Sequence, residues 1–430
     1  MSLTLDSAVP LATPAARPYP DGRVTSYLDD YPTYPHAAGA PHAAHAAPEV
    51  SVVMPCLNEA DTLETCIRKA IAAFQSSGIA GEVIVADNGS TDGSQEIATR
   101  AGARLVPVAA RGYGSALMGG IAAARGKYVV MGDADDSYDF GEIPRIVAKL
   151  REGNALVQGC RLPAGGGTVM PGAMPFLHRW WGNPMFSWLA RRWFRTPIHD
   201  IYCGLRGFTK DLYDRLDQRC TGMEFATEMI VKASVYGERI AEVPITLHPD
   251  GRKAHKPHLK TFRDGWRTLR FFLLYSPRWL FLVPGLLMCF AGLVGYALAM
   301  PGLRVYGVKF DAHTLLFASV AILCGYQSVL FAIFTKIFAI SEKLMPETPR
   351  MTRWFRWFTL ERGLVFGAVT LLAGLGLLIA AVVTWWDAKF GNLDYAKTMR
   401  VVVPGATLTA LGFQTMLSSF FMSVLGLRRR

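Results

Sequence analysis

Two carboxylates one residue apart, Asp133 and Asp135, follow directly on the apolar run Tyr128-Val129-Val130-Met131. A short apolar run that ends in acidic residues reads as a buried strand whose carboxyl end opens on a polar site. Carboxylate oxygens are hard ligands. An Asp-x-Asp at a strand end suits Mg²⁺ or Mn²⁺ bridging to the oxygens of a nucleotide diphosphate, where the ion neutralises a departing anion. An acidic turn without chemistry is the plain alternative, and neighbouring strand ends bear on the choice. The run Val50-Ser51-Val52-Val53-Met54 closes with Pro55-Cys56-Leu57-Asn58-Glu59, and Val83-Ile84-Val85-Ala86 closes with Asp87-Asn88-Gly89-Ser90-Thr91-Asp92. Each alone is no more than a helix N-cap signal. Together they offer a glycine for a tight turn and short polar side chains to bond a base and a ribose.

These clusters need a scaffold that sets strand ends side by side. Leu105-Val106-Pro107-Val108 is a further short apolar run, and helical spacing occupies about 60–77, 92–101 and 113–125. Strands alternating with helices imply βαβ units and a mostly parallel sheet, a Rossmann-like α/β domain over 49–250. In such sheets ligands bind beyond the carboxyl ends of the strands, where all three polar clusters fall.

The three motifs, in this order over residues 50–136, resemble glycosyltransferase family 2, whose members are inverting enzymes of GT-A fold. Later segments resemble the branch that makes dolichyl- or polyprenyl-phosphate hexoses: Gly159-Cys160-Arg161, Asp200-Ile201-Tyr202-Cys203-Gly204-Leu205-Arg206, and Gly222 to Glu228. The resemblance covers roughly 50–278 and implies roles position by position. Pro55, Asn58, Glu59 and Asp87 would hold the base and ribose, and Asp133 and Asp135 the nucleotide and a Mg²⁺ or Mn²⁺. Arg161, Arg179 and Arg206, with Arg252, Lys253 and the basic loop after them, would meet the acceptor phosphate. Asp135, Arg161 and Glu228 would be catalytic. Arg111-Gly112-Tyr113-Gly114 resembles a basic, glycine-rich turn of the family whose N–H groups can approach phosphate. Ser137 stands where relatives often carry a Gln that ligates the metal. Gly165-Gly166-Gly167 reads as a mobile loop able to close over substrate.

Composition bounds the rest. Hydrophobic residues make up 51% of the 430 and charged ones 18%, too apolar for an ordinary soluble enzyme. The excess lies in four runs, about 279–299, 314–340, 364–386 and 401–425, each long enough to cross a hydrocarbon core. The net charge of +11 is concentrated around 251–278, 343–362 and the final Arg428-Arg429-Arg430, beside apolar runs. That placement fits anionic headgroups rather than nucleic acid. With a loop over 341–363 rich in arginine, it puts the catalytic domain and the C-terminus on the cytoplasmic side. The stretch Thr261 to Leu274 alternates aromatic and aliphatic residues with arginines at helical spacing, as does 350–360. Each reads as an amphipathic helix in the interface plane, with a helix packed on the domain as the alternative. Residues 1–48 read as a disordered tail without a signal-peptide pattern, and the seven cysteines, lacking paired spacing, as free thiols.

The expected reaction is transfer of a hexose from UDP-glucose or GDP-mannose to a lipid phosphate. That phosphate is already ionised at neutral pH, so no dedicated base is required. Partners are then the nucleotide-sugar, the lipid phosphate and membrane lipids. Periodicity leaves a homo-oligomer through the spans open. Three rivals remain: transfer to a lipid hydroxyl, a processive polysaccharide synthase, and a non-catalytic scaffold or lipid carrier. No Arg-Trp pair here has the Gln three residues earlier that the synthases carry.

Overall fold

The computed structural model describes residues 47–252, 261–342, 345–346 and 359–425. The tail before residue 47, the loop 253–260 with Lys253, most of 341–363 and the final arginines lie outside the described residues.

Strand β1 (Val50–Cys56) is buried at every position except Pro55, so both faces of the sheet must be covered. It pairs in parallel with β2 (Gly81–Asp87) on one side and β4 (Tyr128–Met131) on the other. The seven-stranded order is β3-β2-β1-β4-β7-β5-β8. Here β3 is Arg104–Pro107, β5 Leu156–Cys160, β7 Arg206–Thr209 and β8 Ile240–Pro244. Only β7 is antiparallel to its neighbours β4 and β5. The register sets Cys56 opposite Asp87 and Val53 opposite Met131, which brings three motif-bearing strand ends to one edge.

Alternation along β1 sends Val52 and Met54 to one face and Val53 to the other. The first face is covered by α1 (Leu63–Ser77), α2 (Ser94–Arg100) and α4 (Ile143–Arg151). Leu63, Cys66, Ile67, Ala70 and Phe74 recur at helical spacing in α1 and are buried. The helix stops at Gly78, which takes the left-handed conformation at φ 63°. The second face is covered by α3 (Tyr113–Ala123), α5 (Asn183–Phe194), α6 (Lys210–Leu216) and α7 (Glu224–Val235).

The helix expected in the interface plane is α8 (Thr261–Leu274). Phe271 and Phe272 are buried against α5 and α7, so the helix packs on the domain, while Trp266 and Leu274 are 60% exposed. Four helices long and apolar enough to cross a bilayer follow: Arg278–Ala299, Ala312–Ser341, Leu360–Asp387 and Tyr395–Leu425. Between 11% and 28% of the most apolar stretch of each is buried within the chain, as helices surrounded by lipid require. Glycines let them approach closely: a Cβ on Gly285 would sit 2.8 Å from the Gly325 carbonyl of the second span. Tyr296 bonds Ser319 at 2.6 Å and Thr407 at 3.1 Å, tying the first, second and fourth spans. Between the first two spans Arg304–Val305 and Val308–Lys309 form a hairpin.

Candidate active site

The ends of β1 and β2 form one stitched unit. Asn58, at φ 61°, donates its N–H to Ser90 Oγ at 2.9 Å and accepts from the Thr91 N–H at 2.9 Å. Glu59 N–H donates to Ser94 Oγ and Ala60 N–H to Asp92. Asp87 is buried and accepts from Gly89 N–H, Ser90 N–H and the Gln95 amide. Pro55 is half-buried beside them. Asn88, which sequence reasoning left without a role of its own, donates to the carbonyls of Val108 and Ala110 and accepts from Gly112 N–H at 2.8 Å. It thereby fixes the turn that carries the exposed Arg111. Gly112 sits at φ 131°, and a Cβ there would lie 2.5 Å from the Thr221 carbonyl, so the turn is pressed on the 220–222 backbone.

Both carboxylates of the Asp-x-Asp are aimed by neighbours. Tyr113 donates its hydroxyl to Asp133 Oδ1 at 2.9 Å. Asp133 keeps part of its surface open to the cleft yet is surrounded by protein; burial, and then the charge of Asp135, push its pKa up to about 6. Asp135 Oδ1 accepts from the Ser137 N–H at 3.0 Å and hydroxyl at 2.6 Å. Ser137, in the position of the expected metal ligand, thus orients Asp135 instead. What was not legible is that Tyr113 and Ser137 hydrogen-bond these two carboxylates. The Arg-Gly-Tyr-Gly turn before α3 and the position two after Asp135 were the available signals.

Arg252 and Arg206 part ways with the acceptor-phosphate reading. Arg252 packs its guanidinium on Glu59 (2.7 Å), Asp250 (2.9 Å) and Asp135 (3.3 Å), so it bridges the two donor-side motifs. Arg206 is fully buried and donates to the carbonyls of Ala226 at 2.5 Å and Cys203 at 2.7 Å. It braces the floor of the site from beneath and cannot meet an incoming phosphate. Arg161 forms a two-pronged pair with Asp200 at 2.7 and 2.9 Å, and its Nη1 reaches the Tyr138 hydroxyl at 3.4 Å. Tyr138 also accepts from Gly204 N–H at 2.8 Å, which ties Arg161 to the strip beside Asp133. Arg179 lies outside this cluster, half-buried, with its guanidinium 5.5 Å from the Trp180 ring.

Glu228 is fully buried, paired with Lys232 at 2.7 Å and accepting from Arg219 N–H and Cys220 N–H. The expected catalytic role gives way to positioning, because Glu228 fastens the 220–222 turn on which the Gly112 loop rests. The glycines at 165–167 differ from expectation as well. Gly165 and Gly167 both donate to the Leu162 carbonyl, and a Cβ on Gly167 would collide with the Cys160 carbonyl. They serve a close crossing over the end of β5 and not a lid. Burial pushes the Cys56 thiol up to about 11 and those of Cys66 and Cys203 to about 12, so these sulfurs stay protonated and unreactive.

Among the described residues no three His, Cys, Asp or Glu converge as a self-sufficient metal cage. Two hard carboxylates at one strand end fit a divalent ion whose shell is completed by phosphate oxygens. The space before Asp133 is kept by Gly204, where a Cβ would come 2.6 Å from Oδ2.

This edge, with its stitched turns and paired carboxylates on a domain followed by four candidate membrane spans in the C-terminal third, defines a membrane-bound sugar transferase of GT-A fold. Residues 51–217 match the glycosyl transferase family 2 profile and 333–426 the profile of that family's C-terminal transmembrane region. The chain is 37% identical over 382 residues to the low-salt glycan biosynthesis hexosyltransferase Agl6 of Haloferax volcanii, covering 88% of this chain and 90% of that one. It is 32% identical over 209 residues to the undecaprenyl-phosphate 4-deoxy-4-formamido-L-arabinose transferase of Salmonella dublin, covering 46% and 60%. Among solved structures, a glucosyl-3-phosphoglycerate synthase from Mycobacterium tuberculosis with Mn²⁺ and UDP aligns at 24% identity and a TM-score of 0.41, over 53% and 78% of the two chains. The chain belongs to glycosyltransferase family 2.

Proposed function

We propose that the protein transfers a hexose, with inversion, from a nucleotide-sugar to a polyprenyl or dolichyl phosphate at the cytoplasmic face of a membrane. One observation carries the reading. A pair of oriented carboxylates and a carboxylate-held arginine, Arg161, share one sheet edge on a domain joined directly to membrane spans. Similarity to a hexosyltransferase and to an undecaprenyl-phosphate sugar transferase supports it.

In this reading Pro55, Asn58, Glu59 and Asp87 receive the base and ribose, and Arg111 with the turn behind it faces the diphosphate. Asp133 and Asp135 would hold Mg²⁺ or Mn²⁺; when bound, the ion supplies charge neutralisation to the departing diphosphate. Tyr113 and Ser137 keep the two carboxylates aimed. Arg161, held planar by Asp200, orients the acceptor phosphate. An ionised phosphate oxygen forms the bond to the anomeric carbon. The bond from that carbon to the diphosphate breaks, and its electron pair leaves on the nucleoside diphosphate. No proton has to be removed, so no side chain is needed as base.

The test uses purified full-length protein, polyprenyl phosphate and a panel of labelled nucleotide-sugars with Mg²⁺, Mn²⁺ or EDTA. Label from one donor is expected to enter the organic phase only with metal. Absence of any organic-phase label, alongside nucleotide release and label entering a growing glycan, would overturn the reading.

A further inference from the structure

Helix α5 and the π-helical turn before it (His178–Gly182) carry two apolar faces. One is accounted for: Phe186, Ala190 and Phe194 are buried in the domain core, with Phe194 and Phe272 ring centroids 5.3 Å apart. The other is open. Leu177, Trp181, Met185 and Trp188 recur at spacings of four, four and three, and are 47%, 69%, 47% and 56% exposed. Trp180 and Phe176 flank this stripe at 59% and 72%. A helix that is apolar on two sides needs two apolar surroundings.

The location says what the second one is. At its C-terminal end the stripe reaches Arg192, whose guanidinium lies 5.1 Å from the Trp279 ring, and Trp193 stacks on that same ring at 5.7 Å. Trp279 is the second residue of the first membrane span. On the flank, the Cβ position of Gly265 in α8 lies 3.8 Å from the Phe186 ring, next to the exposed Trp266. Helix α5 is therefore continuous with both the interfacial helix and the head of a span. Charge agrees. Between Arg161 and Asp200 the chain holds Arg179, Arg191, Arg192 and Arg195 and no Asp or Glu. Exposed tryptophans with arginines and no acids match a headgroup layer of anionic lipid.

We propose that the Leu177–Trp188 face of the catalytic domain is a second membrane-contact surface, seated in the headgroup layer of an anionic bilayer. It would hold the cleft at a fixed height over the membrane. The inference stands on the spans and on this surface, not on the choice of sugar or acceptor.

The test places the full-length protein, with Cys324→Ser, in nanodiscs. An environment-sensitive dye is attached at Trp181→Cys, Trp188→Cys or, as a control on the far side of the domain, Ser77→Cys, which is exposed. Signal from a parent without the added cysteine is subtracted. In discs of phosphatidylethanolamine and phosphatidylglycerol, dye at 181 and 188 should be quenched at least about threefold more by spin-labelled lipid than dye at 77, and shielded from aqueous iodide. Discs of phosphatidylcholine should weaken the contrast. Iodide access at 181 equal to that at 77 overturns the proposal. So does shielding from iodide without lipid quenching, which would indicate a protein partner. Quenching indifferent to lipid charge would overturn the anionic assignment. None of these readouts depends on sugar transfer, so a failed transferase assay leaves them interpretable.

Discussion

Along the edge formed by β1, β2 and β4, residues adjacent in the sequence motifs are adjacent in space. Asn58 and Glu59 bond the Ser90–Ser94 turn, and Asp133 and Asp135 lie at the end of the next strand. For the arginines the reverse holds. Arg161, Arg206 and Arg252 come from three separate segments, and each guanidinium is engaged by protein: Asp200, two backbone carbonyls, and a trio of carboxylates. Strand register brings the β1, β2 and β4 ends together, and neighbouring side chains aim the groups there. The arginines depend on partners far away in sequence, so a basic residue in a family-like position does not have to do what a basic residue there suggests.

The sharpest way to break this comparison is at the carboxylates. Asp135→Asn removes a charge that nothing nearby replaces. The rate of transfer should fall by about a thousandfold or more, while the thermal midpoint stays near that of the parent. A variant that retained transfer would mean the donor side had been misplaced.

The next effect separates two arginines that look alike in sequence. Arg161→Lys loses the fork to Asp200 and should lower transfer by roughly a hundredfold, with a raised KM for the lipid phosphate. Arg206→Leu should instead destabilise the fold by about 2–4 kcal/mol, read as a lowered thermal midpoint with an unchanged KM in whatever remains folded. Calorimetry beside steady-state kinetics distinguishes them, and the opposite pattern would exchange their roles.

Arg252 sits between the two sides. Arg252→Gln frees Asp135 of a competing cation, so Mn²⁺ in the presence of nucleoside diphosphate should bind about threefold tighter by calorimetry, while transfer falls about tenfold. The smallest effect is a dependence on pH. The Asp133 carboxyl is raised to about 6, above its unfolded value near 3.9. The folded state is therefore penalised once pH rises through that window, and a bound cation relieves the penalty. Stabilisation by Mn²⁺ with nucleoside diphosphate should accordingly be larger at pH 7.5 than at pH 5.5. Tyr113→Phe, which removes a hydrogen bond that lowers the Asp133 pKa, should move the midpoint of that change upward.

The same contrast explains how much was legible. Strand runs, four spans and the strand-end motifs follow from hydropathy and turn chemistry, which are local. Glycines at 165–167 read as a mobile loop because sequence cannot show the Cys160 carbonyl that a side chain would strike. Glu228 read as catalytic because a buried Lys232 partner four residues on is invisible as such until α7 is packed. The bonds that Tyr113 and Ser137 make to the carboxylates went unseen for a related reason: they are fixed by tertiary approach of α3 and by a two-residue turn, not by any period.

The most direct measurement gives the enzyme polyprenyl phosphate and polyprenol of equal chain length side by side, with the donor it prefers and Mn²⁺. The account predicts a sugar-lipid product from the phosphate alone, because an ionised phosphate oxygen can attack without losing a proton and an alcohol cannot. Transfer to the polyprenol at a comparable rate would contradict it.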